Sequence, residues 1–168
     1  MPKKENKTNA MRILDRKGVA YRPRAYEAGD GKIDGISVAR KLGENVGQVF
    51  KTLVTRGAGG GYFVFVVPVA KELDLKAAAR SVGEKSVGMI HVSEISKVTG
   101  YIRGGCSPVG MKKQFPTVID ESCLEQSTIF VSGGRIGTQV EVAPKDLVAL
   151  IGAKTAGIAE DAPEPPQE

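Results

Sequence analysis

The sequence predicts a single α+β domain, with a mixed sheet or partial barrel surrounded by short helices. Short apolar runs rich in valine, isoleucine and phenylalanine recur along the chain, as is typical of strands. Helical patterns stand between some of these runs, without the regular strand–helix alternation of a parallel sheet. The 168 residues, 41% hydrophobic and 26% charged, suit one globular domain with an ordinary core.

Capping residues mark the helices in order. Thr8 or Asn9 can begin the first helix, Asp74 the third and Pro144 the last, because each side chain or ring favours a helix start. Glycines limit the helices at their carboxyl ends, as Gly43 does for the second. The helices are expected over 9–17, 36–42, 74–82, 93–99 and 144–151.

Clusters of β-branched and aromatic residues between turn residues mark the strands. The run YFVFVVPV at 62–69 is the most strongly β-like. It is expected to pair antiparallel with 51–56 through the glycine-rich connection at 57–61. The strands are expected over 19–26, 51–56, 62–69, 87–91, 117–119, 128–131 and 139–142.

Charge is unevenly distributed along the chain, whose net charge is +5. Residues 1–24 hold eight lysines and arginines against two acids, which suits a polyanion or, equally, a solvated face. Residues 160–168 are acidic and proline-rich, so a disordered tail is expected there. No apolar run reaches the length of a membrane span, and we expect a cytoplasmic protein.

The glycine-rich segment 100–113, GYIRGGCSPVGMKK, is the most unusual stretch. Gly104 and Gly105 let the backbone approach a ligand with no Cβ in the way, and Pro108 stiffens the loop after them. Such a loop can direct N–H groups at an oxygen, or it can be a plain connection between strands. It matches neither the Walker A motif nor the dinucleotide fingerprint.

No motif pairs a protein nucleophile with a base. Cys106 lies inside the glycine-rich segment, but nothing in the sequence brings His91, the one histidine, beside it. We expect Cys106 to be a small buried side chain and His91 to be a strand residue held by a local hydrogen bond. One histidine and two cysteines form no metal-ligand pattern, so neither metal nor cofactor is expected.

Two further positions are candidates for ligand contact. Lys51 stands at the entrance of an apolar strand, where its stem can pack near a site, although such a lysine commonly faces solvent. Gly133 and Gly134 follow Ser132 at a strand end, where a ligand loop or a hairpin turn would fit.

Three separated motifs together resemble one family. KTLV at Lys51, GYIRGGCSPVGMKK at Gly100, and VSGGRIG followed by QVEVAP resemble the YbaK/EbsC aminoacyl-tRNA deacylases, which are similar to the editing domain of bacterial prolyl-tRNA synthetase. The forms of the last two motifs look most like the Cys-tRNA(Pro) deacylase branch. The resemblance implies a YbaK-like α/β domain over residues 1–159, built around a mixed, β-barrel-like sheet.

The resemblance also implies roles for individual residues. Lys51 matches the family's key lysine, which would hold the aminoacyl-adenosine end or its phosphate, and the amides around Gly104 and Gly105 would face the ester carbonyl as further catalytic groups. Cysteine-specific relatives have an aromatic residue where this chain has Ile33 and Asp34, and an aspartate where it has Gln139. The residues implied to bind substrate are Tyr26, Thr52, Ser107, Pro108, Ser132, Gly133, Gly134 and Gln139.

The implied activity is the release of cysteine from mischarged Cys-tRNA(Pro), with the substrate's own thiol attacking the ester. Such editing is needed because a small difference in side-chain volume is worth only about 1–3 kcal/mol in a binding pocket. Two alternatives stay open: deacylation of another small residue, as in Ala-tRNA(Pro), and a non-catalytic tRNA- or synthetase-binding module. The expected partners are the acceptor end of tRNA and prolyl-tRNA synthetase, with no role for DNA or a membrane.

Overall fold

The computed structural model describes residues 7–162 of the chain, which form five α-helices and ten strands. The helices are α1 (Asn9–Arg16), α2 (Gly35–Leu42), α3 (Leu75–Ser81), α4 (Val92–Thr99) and α5 (Pro144–Ile151). The strands are β1 (Tyr21–Ala25), β2 (Phe50–Gly57), β3 (Tyr62–Pro68), β4 (Lys71–Leu73), β5 (Val87–Met89), β6 (Thr117–Asp120), β7 (Ile129–Arg135), β8 (Thr138–Val142), β9 (Lys154–Ala156) and β10 (Ala159–Asp161). Short 3₁₀ helices cover Val46–Gln48 and Glu121–Glu125.

The strands form three sheets. The largest has the order β5-β2-β3-β6-β9 and is mixed, since β5, β2 and β3 are antiparallel neighbours whereas β3, β6 and β9 are parallel. An antiparallel sheet has the order β1-β8-β7, and β4 pairs with β10. The α+β class with a mixed sheet is confirmed. Within residues 7–162 the sheets do not close into a barrel, and β7 approaches the large sheet through a parallel bridge between Val49 and Phe130.

The helix boundaries follow the predicted caps closely. Thr8 accepts a hydrogen bond from the first turn of α1, and Asp74 does the same for α3. Gly43 ends α2 with a φ of 64°. His91 is not the strand residue that the sequence predicts, because its ring nitrogen accepts from the main-chain N–H of Ser93 and caps α4.

The core lies on both faces of the large sheet. Alternate residues of a strand point to opposite faces, so Val64 and Val66 of β3 join the cluster that contains α1, β7, β8 and α5. Phe65 and Val67 join the cluster formed with α3. All four side chains are fully buried, which explains why β3 reads as a continuous apolar run instead of an alternating one.

The predicted disordered tail is wrong at its first two residues. Glu160 and Asp161 lie in β10, paired with β4. Asp120 anchors the approach to this strand, since its carboxylate accepts from the main-chain N–H groups of Ile158 and Ala159 at 2.9 and 3.0 Å. These contacts join distant parts of the chain, so the local acidic composition gave no sign of them. The rest of the predicted tail, residues 163–168, lies outside the described residues.

Candidate active site

A cavity of about 440 Å³ opens beside the amino-terminal half of β2. Its walls come from β2, the start of α2, α4 with the residues before it, the loop 103–106 and the β7–β8 hairpin. An enclosure of this size, mostly apolar with a few polar groups, is the usual form of a small-ligand site. The apolar side chains that line it include Ile33, Val38, Val49, Val69, Ile90 and Ile95.

The cavity lies along a short stretch of the β2 edge that carries no strand, between the bridge of Val49 to Phe130 and the start of β5. β3 pairs with β2 from Phe50 to Arg56, whereas the other edge is covered only from Val54 onwards, where the N–H of Ile90 donates to the carbonyl oxygen of Val54 at 3.3 Å. The N–H of Val69 donates to the carbonyl oxygen of Val49 at 2.9 Å. In this antiparallel register the odd-numbered residues of β2 therefore bond to β3. The main-chain N–H and C=O of Thr52 consequently point to the uncovered edge.

Lys51 and Thr52 both line the cavity. Burial lowers the pKa of the Lys51 ammonium, while the attraction of Glu72 opposes that shift. The hydroxyl oxygen of Thr52 is buried and has no hydrogen-bond partner among the described residues. Because an unsatisfied buried polar group costs about 1–3 kcal/mol, the Thr52 hydroxyl is a candidate ligand contact and not a stabilising element of the fold.

Gly104 and Gly105 have different surroundings. Gly104 lines the cavity with a φ of 86°, and a Cβ on it would lie 2.9 Å from the Cδ1 of Ile33. Gly105 packs on the β7–β8 hairpin, where a Cβ would lie 3.0 Å from the backbone nitrogen of Ile136. The Gly105 N–H donates to the carbonyl of Ile102 at 3.0 Å. Gly104 therefore lines the cavity, whereas the Gly105 amide closes a turn within the loop.

Ser107 and Pro108 follow the loop 103–106, are buried, and do not line the cavity. Ser107 is fully buried, and its hydroxyl accepts from the N–H of Val109 at 3.2 Å. The hydroxyl of Tyr101 donates to the carbonyl of Val109 at 2.6 Å. These bonds stiffen the loop that carries Gly104, so the contribution of Ser107 to the site is indirect.

The β7–β8 hairpin brings Ser132 and Gln139 to the cavity. The two residues are directly opposite in the strand register, and both line the wall. Gly133 and Gly134 follow Ser132 but are not part of the lining. A Cβ on Gly134 would lie 3.1 Å from the ring of Tyr101, so this glycine permits close packing of the hairpin on the loop 100–113.

Three more lining residues carry polar groups. Tyr26 reaches the cavity just after β1, as the resemblance implies. Asp34, whose pKa is lowered by hydrogen bonds from the side chain and main chain of Ser37, is the N-cap of α2. Arg103 is exposed at the wall and adds a second cation to that of Lys51. Arg103 has no role in the sequence-based prediction, although its position beside Gly104 is a signal that could have indicated one.

A buried carboxylate lies behind the wall. The Glu44 side chain is 0% exposed and lies 3.3 Å from the guanidinium of Arg24. With its nitrogen turned towards Glu44, the Gln139 amide donates to the two carboxylate oxygens at 3.0 and 2.8 Å. Burial raises the pKa of Glu44, whereas Arg24 and Gln139 act in the opposite direction. Sequence reasoning missed Glu44 because a glutamate after a helix-ending glycine is typical of an exposed turn.

Cys106 lines the cavity, yet it is poorly suited to attack a substrate. Burial raises the pKa of its thiol to about 11, so almost no thiolate is present at neutral pH. His91 is not part of the lining and bonds to the hydroxyl of Ser93 at 2.8 Å. Within residues 7–162, no three His, Cys, Asp or Glu side chains come together as a metal site would require, and no helix could cross a bilayer.

Known proteins share this fold. Residues 35–150 match the family described as aminoacyl-tRNA editing domain. A curated protein of Enterococcus faecalis, provisionally named Cys-tRNA(Pro)/Cys-tRNA(Cys) deacylase EbsC, is 44% identical, over 93% of this chain and 95% of its own length. A crystal structure described, again provisionally, as a trans-editing enzyme for prolyl tRNA synthetase is 29% identical with a TM-score of 0.80, covering 92% of this chain and 99% of the other. The crystal structure of a hypothetical protein gives a TM-score of 0.82 at 25% identity, with coverages of 89% and 98%.

The chain belongs to the aminoacyl-tRNA editing domain family. The predicted resemblance to the YbaK-like deacylases is confirmed, and so is their fold. At the level of this family, the predicted class of enzyme, an aminoacyl-tRNA deacylase, is confirmed as well.

Proposed function

We propose that this chain releases cysteine from mischarged Cys-tRNA(Pro), acting in trans on the free aminoacyl-tRNA. The observation that carries the proposal is the chemistry of the cavity. Lys51, Arg103 and the unpartnered hydroxyl of Thr52 stand in an apolar wall, and the one thiol among the described lining residues is Cys106, which is protonated. Such a site can bind and polarise an ester but must take its nucleophile from the substrate or from water.

Lys51 and Arg103 are the groups that hold the anionic end of the substrate. The terminal nucleotide of tRNA carries a phosphate, and charge-assisted hydrogen bonds from lysine and arginine are about twice as strong as neutral ones. The partial burial of Lys51 strengthens this attraction, because the effective dielectric constant is lower away from bulk water.

The ester carbonyl faces main-chain donors. The N–H of Thr52 points to the uncovered edge of β2, and the N–H of Gly104 has no acceptor among the described residues. A single donor placed at a developing oxyanion contributes about 3–4 kcal/mol to lowering the barrier. These two amides are therefore the groups that we assign to stabilising the tetrahedral intermediate.

The nucleophile in this proposal is the substrate's own thiol. Its sulfur attacks the ester carbonyl carbon, the bond from that carbon to the ribose oxygen breaks, and the thiol proton passes to the ribose oxygen. The tRNA leaves with a free hydroxyl, and the cysteine leaves as a thiolactone that water opens. The protein has only to orient the two reacting groups, and such orientation is itself a large part of catalysis.

A second candidate is the deacylation of Ala-tRNA(Pro) by water. Ile33 favours it, because its side chain lies against Gly104 and narrows the cavity, so that a small amino-acid side chain would fill the space. A tRNA-binding module without turnover is the third possibility, and part of the basic segment on which it depends, residues 1–6, lies outside the described residues.

One assay separates these functions. The purified chain is incubated with Cys-tRNA(Pro), Ala-tRNA(Pro) and Pro-tRNA(Pro), and the release of tRNA is followed for each. Fastest release from the cysteinyl substrate is expected, fastest release from the alanyl substrate supports the second candidate, and binding without release supports the third. S-methylcysteinyl-tRNA(Pro) tests the nucleophile, since undiminished release would mean that water attacks.

Prolyl-tRNA synthetase is a further partner that we propose, because the mischarged ester is formed on that enzyme. Its presence is expected to raise the rate of cysteine release at limiting deacylase. An unchanged rate at synthetase concentrations that exceed the deacylase would contradict the partnership without touching the deacylase activity. The cytoplasm, where charged tRNA is used, is the proposed location.

A further inference from the structure

A polar cluster behind the cavity wall consists of Glu44, Arg24 and Gln139. Glu44 is fixed at the end of α2, since its N–H donates to the carbonyl of Ala39 at 2.9 Å. Gly43, with a φ of 64°, already ends the helix, so the carboxylate is not needed as a cap. A carboxylate with no solvent exposure is costly to bury even when it is paired, as Glu44 is with Arg24.

Gln139 connects this cluster to the cavity. It is 5% exposed, lines the cavity, and lies in β8 directly opposite Arg24 of β1 and Ser132 of β7. A side-chain amide offers donors on its nitrogen and an acceptor on its oxygen. Because the nitrogen is bonded to the Glu44 carboxylate, the oxygen is the polar atom that is turned away from Glu44.

The other polar side chains of the cavity differ from this acceptor, since those of Tyr26, Ser132 and Thr138 are hydroxyls that can also donate. Lys51 and Arg103 can only donate, and the hydroxyl of Thr52 can donate or accept. The Asp34 carboxylate accepts from the N–H and hydroxyl of Ser37 at 3.1 and 2.6 Å. An aminoacyl ester carries an α-ammonium group, whose N–H bonds require acceptors. A group that accepts and cannot donate is suited to that ammonium.

We propose that Glu44 is a positioning residue, which orients the Gln139 amide so that its carbonyl oxygen accepts a hydrogen bond from the α-ammonium of the bound aminoacyl ester. This inference rests on the proposed function. It makes Gln139 a specificity-determining residue for a free amino group, and it gives a function to the buried carboxylate of Glu44 and its partner Arg24, which lie behind the neutral side chain of Gln139.

The test uses two adenosine ligands that cannot be deacylated. Both carry the acyl group as a 3′-amide, one with a cysteinyl chain and the other with a 3-mercaptopropionyl chain, which keeps the thiol and lacks the amino group. Calorimetry measures the dissociation constant of each. The wild-type chain is expected to bind the cysteinyl ligand about 10- to 100-fold more tightly, as expected for one hydrogen bond to a charged group.

Variants assign this preference to the two residues. Gln139→Met removes the acceptor and Glu44→Met removes its support, and each is expected to bring the ratio of the two constants to within about twofold of 1. Glu44→Gln keeps a carbonyl oxygen that can accept from Gln139 and should restore part of the preference. Glu125→Gln is the control for the loss of a carboxylate: Glu125 is exposed in the 3₁₀ helix Glu121–Glu125 and should leave the ratio unchanged.

Equal binding of the two ligands by the wild-type chain would overturn the inference. So would a folded Glu44→Met variant that keeps the wild-type ratio. Should Glu44→Met fail to fold, the wild-type ratio and that of Gln139→Met still test whether the Gln139 amide binds the α-ammonium. An unchanged ratio in Gln139→Met would then overturn the inference. Cysteine release from Cys-tRNA(Pro) is measured on the same wild-type preparation. Release with equal binding leaves the proposed function standing, whereas a preserved ratio without release contradicts the proposed function alone.

Discussion

Ile33 and Gly104 meet at the cavity wall, so closely that a Cβ on Gly104 would lie 2.9 Å from the Cδ1 of Ile33. The φ of Gly104, 86°, is also one that other residues adopt only at a cost of about 1–2 kcal/mol. Gly104→Ala is therefore expected to lower kcat/KM for cysteine release by roughly tenfold or more. Steady-state deacylation kinetics measure this loss.

Gly105→Ala is the contrasting variant. Its Cβ would press on the backbone of the β7–β8 hairpin, so we expect a loss of about 1–3 kcal/mol in the free energy of unfolding, with turnover by the folded fraction retained. Gly88→Ala should change neither property, since nothing lies within 4 Å of a Cβ there. Loss of turnover in Gly105→Ala at unchanged stability would show that Gly105 takes a direct part in catalysis, as the family resemblance implies.

Lys51 is expected to contribute through its charge. Lys51→Ala removes the cation from a partly buried site, and we expect kcat/KM for cysteine release to fall about 100-fold, or some 3 kcal/mol. Lys51→Arg should keep a larger part of the activity. Lys85→Ala removes an exposed lysine and is the control for net charge. Equal activity of Lys51→Ala and Lys85→Ala would show that the charge of Lys51 does not contribute to cysteine release.

Thr52→Val separates stability from activity. The hydroxyl of Thr52 is buried without a partner, so its replacement by an isosteric methyl group should leave the unfolding temperature unchanged or raise it. Ligand affinity or kcat/KM is expected to fall about 3- to 10-fold, because one hydrogen bond to the substrate is lost. Thermal unfolding and deacylation are measured on the same variant. A clear drop in stability would show that the hydroxyl serves the fold.

Cys106→Ala should retain cysteine release at neutral pH, because the thiol is not the nucleophile. Its effect appears instead in the pH dependence of stability. Burial raises the pKa of the folded thiol from 9.0 to about 11, so the folded state holds this proton more tightly than the unfolded chain. That contribution is complete below pH 9 and is lost as the pH rises through 11.

The stability of wild type relative to Cys106→Ala should accordingly decrease between pH 9 and pH 11. Denaturant unfolding at several pH values measures it. An inactive Cys106→Ala variant at pH 7 would mean that the thiol takes part in the reaction.

Asp120→Ala should loosen the carboxyl-terminal strand. The carboxylate accepts from the N–H groups of Ile158 and Ala159, and on its other side from Ser122. We expect a loss of roughly 2–4 kcal/mol, since hydrogen bonds to charged groups contribute about 1.5–3 kcal/mol and the freed amides are partly buried. Hydrogen exchange at Ile158 and Ala159 should accelerate. Unchanged exchange would show that pairing with β4 holds β10 unaided.

Most of the regular elements could be predicted because their signals are local. The caps at Thr8 and Asp74, the glycine at the end of α2 and the apolar run of β3 act within a few residues of the chain. The strands β4, β9 and β10 have three residues each and exist through pairing with distant partners. Their own sequences carry too few residues to show a period.

The sequence by itself determined the class of fold and, through the motifs shared with the family, six residues of the cavity wall: Tyr26, Lys51, Thr52, Gly104, Ser132 and Gln139. Only the tertiary structure decided that Gly105 and Ser107 support that wall, and that Glu44 stands behind it. The reason is physical: motifs record which residues are needed, whereas the register of β1 on β8 and the uncovered edge of β2 arise from long-range pairing. That pairing sets which side of each residue meets the substrate.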